Sequence, residues 1–217
     1  MKQEATSTEF KCNDLLYWHR PNLANTPAKR YYSVMDSKVF KVKSIGQGTL
    51  FIMPCPKPEQ LEDSLLHLKH LGINKVVSLL EIEEAVHLGA ANEGEMCKRL
   101  DMSFEQFPIR DRNIPKNPAK FRQLVNTLYE ELYNGTSIAI HCYAGIGRTG
   151  LLAGGLMITE GISVGSAVEL MSDARGRNMP QTQDQYEYLM DYAAGEEALE
   201  VAPKNTGNWF TRLFSTA

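Results

Sequence analysis

The stretch Ser137-Ile138-Ala139-Ile140-His141-Cys142-Tyr143-Ala144-Gly145-Ile146-Gly147-Arg148-Thr149-Gly150 decides how this chain is read. Its opening residues, Ser137 to Ile140, make a short apolar run of the kind that forms a buried strand, and another apolar run follows Gly150 with the length of a helix. The residues between them form a tight, glycine-bearing loop. In such a strand-to-helix loop successive backbone N–H groups can point inward as a nest, and the helix adds the positive end of its dipole. Gly145, Gly147 and Gly150 permit that path, and the cup suits a tetrahedral anion.

A cysteine beneath such a cup sits in positive potential, which lowers its pKa and favours the nucleophilic thiolate. Cys142 is that candidate. Arg148 can fold over the cup and grip two phosphate oxygens with its planar fork. Thr149 can donate its hydroxyl to the sulfur and ease its departure. Phosphoryl transfer needs positioning and pre-set donors above all, so this loop can perform it without metal or cofactor. A leaving oxygen still needs a proton. Asp111, in the polar loop Arg110-Asp111-Arg112-Asn113-Ile114-Pro115 after an upstream strand, is the best-placed acid, and the same carboxylate would later activate water.

Working outward, Val39 to Val42 and Thr49 to Met53 read as short strands, the second stopped by Pro54 and Pro56. Leu61, Leu65 and Leu68 mark a helix over 57–71, closed by Gly72, before an apolar strand over 75–80. A weaker helical segment covers 81–99, and a strand runs from Met102 to Ile109. Asn117 caps a helix that carries Phe121, Leu124, Val125, Leu128 and Leu132 on one face and ends at Asn134-Gly135. Downstream, Ser163 caps a helix over 164–174, and Pro180 opens one over 181–194. Gln185, on that last helix, is positioned to orient an attacking water. Strands alternating with helices imply an α/β fold, a central, largely parallel twisted sheet flanked by helices. The domain plan is an N-terminal arm (1–38), a catalytic domain (39–195) and a C-terminal tail (196–217). Trp209, Phe210, Leu213 and Phe214 in the tail are read first as packing against their own domain and second as docking to a partner or membrane.

A length of 217 residues, 43% of them hydrophobic, suits one domain with one good core. The net charge of -3 argues against a broad nucleic-acid or acidic-membrane footprint, although Arg110, Arg112, Lys116, Arg175 and Arg177 can enrich positive charge locally. No secretory signal or membrane span is visible, so a cytoplasmic protein is expected. Four cysteines lack metal-ligand spacing with the five histidines, and a reduced setting fits them. Cys55 and Cys97 are read first as buried small hydrophobes and second as thiols able to trap an oxidised Cys142.

The decapeptide 141–150 resembles the HCx5R signature of the protein tyrosine phosphatase superfamily. Phe107-Pro108-Ile109-Arg110-Asp111 looks like the general-acid loop of its dual-specificity branch. Ala174-Arg175-Gly176-Arg177 and the segment Gln181 to Leu189 look like the matching regions of kinase-associated dual-specificity phosphatases, so the resemblance covers about residues 48–194. It implies a cysteine phosphatase fold and phosphate held by the amides of Tyr143, Ala144, Gly145, Ile146, Gly147 and Arg148. It further implies a loop braced by His141, a phosphocysteine on Cys142 and the acid role for Asp111. Lys29-Arg30-Tyr31 is only a faint echo of the recognition loop of the tyrosine-specific branch. Tyr143 and Ile146 stand where phosphoinositide-directed relatives usually have lysines, so the expected substrate is a phosphoprotein. The competing readings are a pseudophosphatase that binds phosphorylated partners, and an enzyme for inositol phosphates, phosphoinositides or RNA 5′ ends.

Overall fold

The computed structural model describes residues 38–201, and for 196–201 the helical backbone alone. The arm up to residue 37, Lys29-Arg30-Tyr31 and the aromatic tail lie outside the described residues.

Five strands form one sheet in the order β1-β2-β5-β3-β4: β1 (Phe40–Ile45), β2 (Gly48–Pro54), β3 (Lys75–Ser78), β4 (Ser103–Gln106) and β5 (Ile138–Cys142). Among the described strands only the β1–β2 hairpin is antiparallel; β2, β5, β3 and β4 run parallel, as expected for a largely parallel sheet. The helices are α1 (Leu61–His70), α2 (Ile82–His87), α3 (Glu93–Arg99), α4 (Pro118–Tyr133), α5 (Gly147–Thr159), α6 (Val164–Arg175) and α7 (Gln183–Val201).

Alternation along the central strand sorts the core into two layers. Ile138 and Ile140 of β5 face one side with Leu50, Ile52 and Val77, against Phe121, Leu124 and Leu128 of α4 and Leu151, Leu152 and Leu156 of α5. Ala139 faces the other side with Met53 and Val76, under Leu61, Leu65 and Leu68 of α1 and Cys97 of α3. Both faces of β5 are thus covered, which is why its sequence reads as continuous apolar residues. Buried Lys75 at the start of β3 is held 2.8 Å from Glu105 of β4 and 2.8 Å from Glu131 of α4, so even this lysine serves the layer packing.

Several boundaries move from the sequence reading, each for a local reason. The segment over 57–71 is a 3-10 turn at Pro58–Gln60 followed by α1. Leu79 and Leu80 leave the strand expected over 75–80, yet both are fully buried, so their apolar character reflects core and not strand. The weak helix expected over 81–99 is two short helices, because Gly89, at a φ of +68°, turns the chain between them. Pro180 does not open the last helix. That helix starts at Gln183, where the Thr182 hydroxyl accepts from the Gln185 amide, and it runs on to Val201. Asn117 and Ser163 cap α4 and α6 as their sequence positions predict, each accepting from the amide three residues on. Among the described residues no helix is long and apolar enough to cross a membrane.

Candidate active site

The parallel strands β2, β5 and β3 end along one sheet edge, where β5 delivers His141 and Cys142 into the loop and α5 begins at Gly147. Gly145 sits at a φ of +65°, and a Cβ there would lie 2.3 Å from the Met53 carbonyl oxygen, so only glycine lets the loop lie against the end of β2. A Cβ on Gly147 would meet Gln185 Oε1 at 2.8 Å.

The loop's carbonyls are each tied from outside the cup. The Cys142 carbonyl lies 3.3 Å from His141 Nδ1, and the Tyr143 carbonyl accepts from the Cys55 amide at 3.0 Å. Arg175, at the end of α6, donates through Nη2 to the Ala144 carbonyl at 3.0 Å and through Nε to the Gly145 carbonyl at 3.3 Å. The Ile146 carbonyl accepts from the Gly150 amide as α5 begins. With the five successive carbonyls from Cys142 to Ile146 engaged in this way, the loop has the carbonyl arrangement that an anion nest requires. Arg175 also stacks on Phe40, its guanidinium carbon 4.7 Å from the ring centre.

Cys142 is 2% exposed. Burial opposes a thiolate there, but the Thr149 hydroxyl, the Arg148 charge and the amides of Thr149 and Ile146 outweigh it and lower the thiol pKa below its ordinary value. The Thr149 hydroxyl is buried and has no other hydrogen-bond partner, which leaves it for the sulfur.

Arg148 is buried and anchored on every side but one. Its Nη1 donates to Glu84 Oε2 at 2.6 Å and to the Ile109 carbonyl at 3.1 Å; its Nη2 donates to Glu84 Oε1 at 2.9 Å and to Asp111 Oδ1 at 3.0 Å. Its Nε is buried without a hydrogen-bond partner among the described residues. The Glu84 grip is bidentate, and Glu84 is itself fixed by the Glu81 amide at the start of α2. Asp111, on the loop after β4, is 60% exposed, and the structure brings it from 37 positions away to the tip of Arg148. Arg112 beside it adopts a φ of +59°, in the tight turn that follows.

His141 is wholly buried, its Nε2 3.0 Å from Glu93 Oε2 on α3. Gln185 is also fully buried. Its Oε1 accepts from the amides of Gln181 and Thr182, and its Nε2 donates to the Asn113 carbonyl at 3.1 Å, so it ties the Asp111 loop to α7 beside the cup. Tyr143 is exposed at the mouth, whereas Ala144 and Ile146 are half-buried and Gly145 and Gly147 buried. Cys97 lies in the core layer on the far side of the sheet, and burial next to Glu93 pushes its thiol up to about 12. Cys55 is half-buried beside the loop.

Sequence reasoning missed Glu84, Glu93 and the carbonyl ties of Arg175. The signal for Glu84 was present: Glu81 and Glu84 form a capping box, with reciprocal side-chain and backbone bonds at the start of a helix. Nothing local marks Glu93.

A family profile described as "Polymorphic toxin system, DSP-PTPase phosphatase" matches residues 53–162, just over half of the chain. Cyclin-dependent kinase inhibitor 3 of Homo sapiens and of Rattus norvegicus are each 28% identical over 127 residues, 58% of this chain and 59% of the relative. The match thus spans less than two thirds of those relatives. Among solved structures, kinase-associated phosphatase with its catalytic-site cysteine replaced by serine superposes with a TM-score of 0.66 at 23% identity, covering 74% of this chain and 96% of the other. PTPMT1 superposes with a TM-score of 0.61 at 15% identity, covering 75% and 98%. At these identities the structural likeness concerns the fold, and that fold is the cysteine phosphatase fold.

Proposed function

Because the chain belongs to the DSP-PTPase phosphatase family of polymorphic toxin systems, we propose that it hydrolyses phosphotyrosine on phosphoproteins through a phosphocysteine on Cys142, with phosphoserine and phosphothreonine as further substrates. One observation carries this reading: a buried thiol whose pKa is lowered by the Thr149 hydroxyl, the Arg148 charge and the amides of Thr149 and Ile146 lies beside a buried guanidinium whose Nε has no hydrogen-bond partner among the described residues.

The thiolate of Cys142 attacks phosphorus while the amides of the 143–148 loop and Arg148 hold the equatorial oxygens. The bond between phosphorus and the ester oxygen breaks, and that oxygen takes a proton from the Asp111 carboxyl. An incoming phosphate oxygen competes with Asp111 Oδ1 for Arg148 Nη2, which frees the acid to turn toward the leaving group. Water, oriented by Gln185 and deprotonated by the Asp111 carboxylate, then attacks phosphorus. The S–P bond breaks, and the Thr149 hydroxyl stabilises the departing thiolate. Residues 39–195 form the catalytic unit, and a reducing cytoplasm suits a thiol nucleophile. The likeness to cyclin-dependent kinase inhibitor 3, over 59% of that relative, and to kinase-associated phosphatase supports phosphorylated protein partners of unspecified identity.

The test is phosphate release, with EDTA and a reductant present, from a phosphotyrosine peptide, a phosphothreonine peptide and a phosphoinositide. Wild type should turn over the phosphotyrosine peptide, Cys142→Ser should be silent, and Asp111→Asn should lose about 10²- to 10³-fold in kcat. Turnover by Cys142→Ser would sink the mechanism. Preference for the phosphoinositide would reassign the substrate class, and phosphopeptide binding by a silent wild type would make the protein a pseudophosphatase.

A further inference from the structure

His141 stands between two acceptors. Its Nε2 lies 3.0 Å from Glu93 Oε2, and its Nδ1 lies 3.3 Å from the Cys142 carbonyl oxygen. A neutral imidazole carries one N–H, so it can satisfy one of these and must turn a lone pair toward the other. Only the imidazolium donates to both. Ring and carboxylate are 0% and 1% exposed, so neither charge can fall back on water, and each is tolerated because the other is there. Glu93 Oε1 is buried without a hydrogen-bond partner, which makes His141 the group that compensates this carboxylate.

We propose that Glu93 is a positioning residue for Cys142. It keeps His141 as an imidazolium, which draws the Cys142 carbonyl out of the cup with a charge-assisted N–H and places a fixed positive charge in the residue before the nucleophile. The inference rests on Cys142 being that nucleophile.

The groups around the ring agree with this assignment. Glu93 faces it from α3, the Cys55 sulfur from the loop after β2, and Cys142 from its own strand; Glu84 of α2 also feels its charge. Burial opposes the imidazolium, yet Glu93 and the Cys55 sulfur together raise His141 to about 10. On the other side of the loop the cations facing Cys142 are Arg148 and Arg175. Because the ring adjoins Cys142 while the Glu93 carboxylate lies behind it, the pair acts on the sulfur as a dipole with its positive end forward. A dipole is weaker than a lone charge, so the effect on the thiol is moderate.

Glu93→Gln keeps the side-chain shape and removes the charge. Two measurements test it: the ¹⁵N signature of the His141 ring, assigned through its contacts with Cys142 and Cys55, and the pH profile of Cys142 alkylation by iodoacetamide. In wild type both ring nitrogens should be protonated at about pH 7.5; in the variant the ring should be neutral. Alkylation of the variant should be about three- to tenfold slower near pH 6 and should converge with wild type at alkaline pH. A neutral His141 in wild type overturns the proposal, as does a variant profile that superimposes on wild type with only the melting temperature lowered. If the variant does not fold, the wild-type ring signature alone decides. Neither measurement uses a phosphorylated substrate, so a protein without turnover would defeat the functional reading and leave this one to be judged separately.

Discussion

Glu84→Gln tests whether the fork of Arg148 is held in place by its ion pair with α2. The wild-type carboxylate spans both terminal nitrogens, at 2.6 and 2.9 Å, and the arginine it holds is 1% exposed. Breaking a fully buried pair costs about 3–5 kcal/mol, because one charge is left uncompensated. Three features reduce that here. Glu84 is 24% exposed, Asp111 and the Ile109 carbonyl still contact Arg148, and glutamine keeps one oxygen for Nη1. The expected loss of stability is therefore about 1–2 kcal/mol by urea unfolding. The loss in kcat/KM should be larger in effect, about 10- to 100-fold, since a fork free to tilt no longer meets the equatorial oxygens of the transition state.

The pH dependence supplies a second arm. Burial opposes the charge on Glu84, but the Arg148 hydrogen bond and charge, the Glu81 amide and the His141 charge hold its pKa below the ordinary 4.5. A folded pKa below the unfolded one gives stability that is present above about 4.5 and is lost as pH falls through the folded value. Wild type and variant should therefore differ most near neutral pH and converge on acidification. Parallel stability curves from neutral to acid pH, or a kcat/KM within twofold of wild type, would refute the reasoning.

Arg175→Lys should raise KM for a phosphopeptide about 3- to 10-fold with a smaller change in kcat, because one ammonium cannot tie the Ala144 and Gly145 carbonyls as the planar fork does, and vanadate affinity measured by competition checks this. Gly145→Ala should be at least about 2 kcal/mol less stable and nearly inactive, since its Cβ would strike the backbone of Met53 and Pro54 at a positive φ; thermal unfolding and a vanadate titration read both losses. Gln185→Leu should loosen the Asp111 loop by removing the bond to the Asn113 carbonyl, and hydrogen exchange at 111–114 should quicken even where the melting temperature barely moves.

The parts of the site that were legible in the sequence are those whose chemistry is local. A strand-to-helix loop is built of consecutive residues, so its glycines, its cysteine and its arginine arrive as one string, and the strand and helix that frame it show as apolar runs on either side. Asp111 was legible because a polar loop after a parallel strand must emerge on the same sheet edge as Cys142. Glu84 and Glu93 reach their partners across 64 and 48 positions, and a glutamate in a weakly periodic segment has the composition of a solvated face. What that reading lacked was the break at Gly89. One continuous helix over 81–99 would carry the two glutamates about 13 Å apart along a single axis, at 1.5 Å per residue. Split into α2 and α3, the segment instead sets Glu84 on Arg148 and Glu93 on His141, at the two ends of the 141–148 loop. The two short helices, each too short to be stable alone, are therefore held in place by the same ion pairs through which they position the loop.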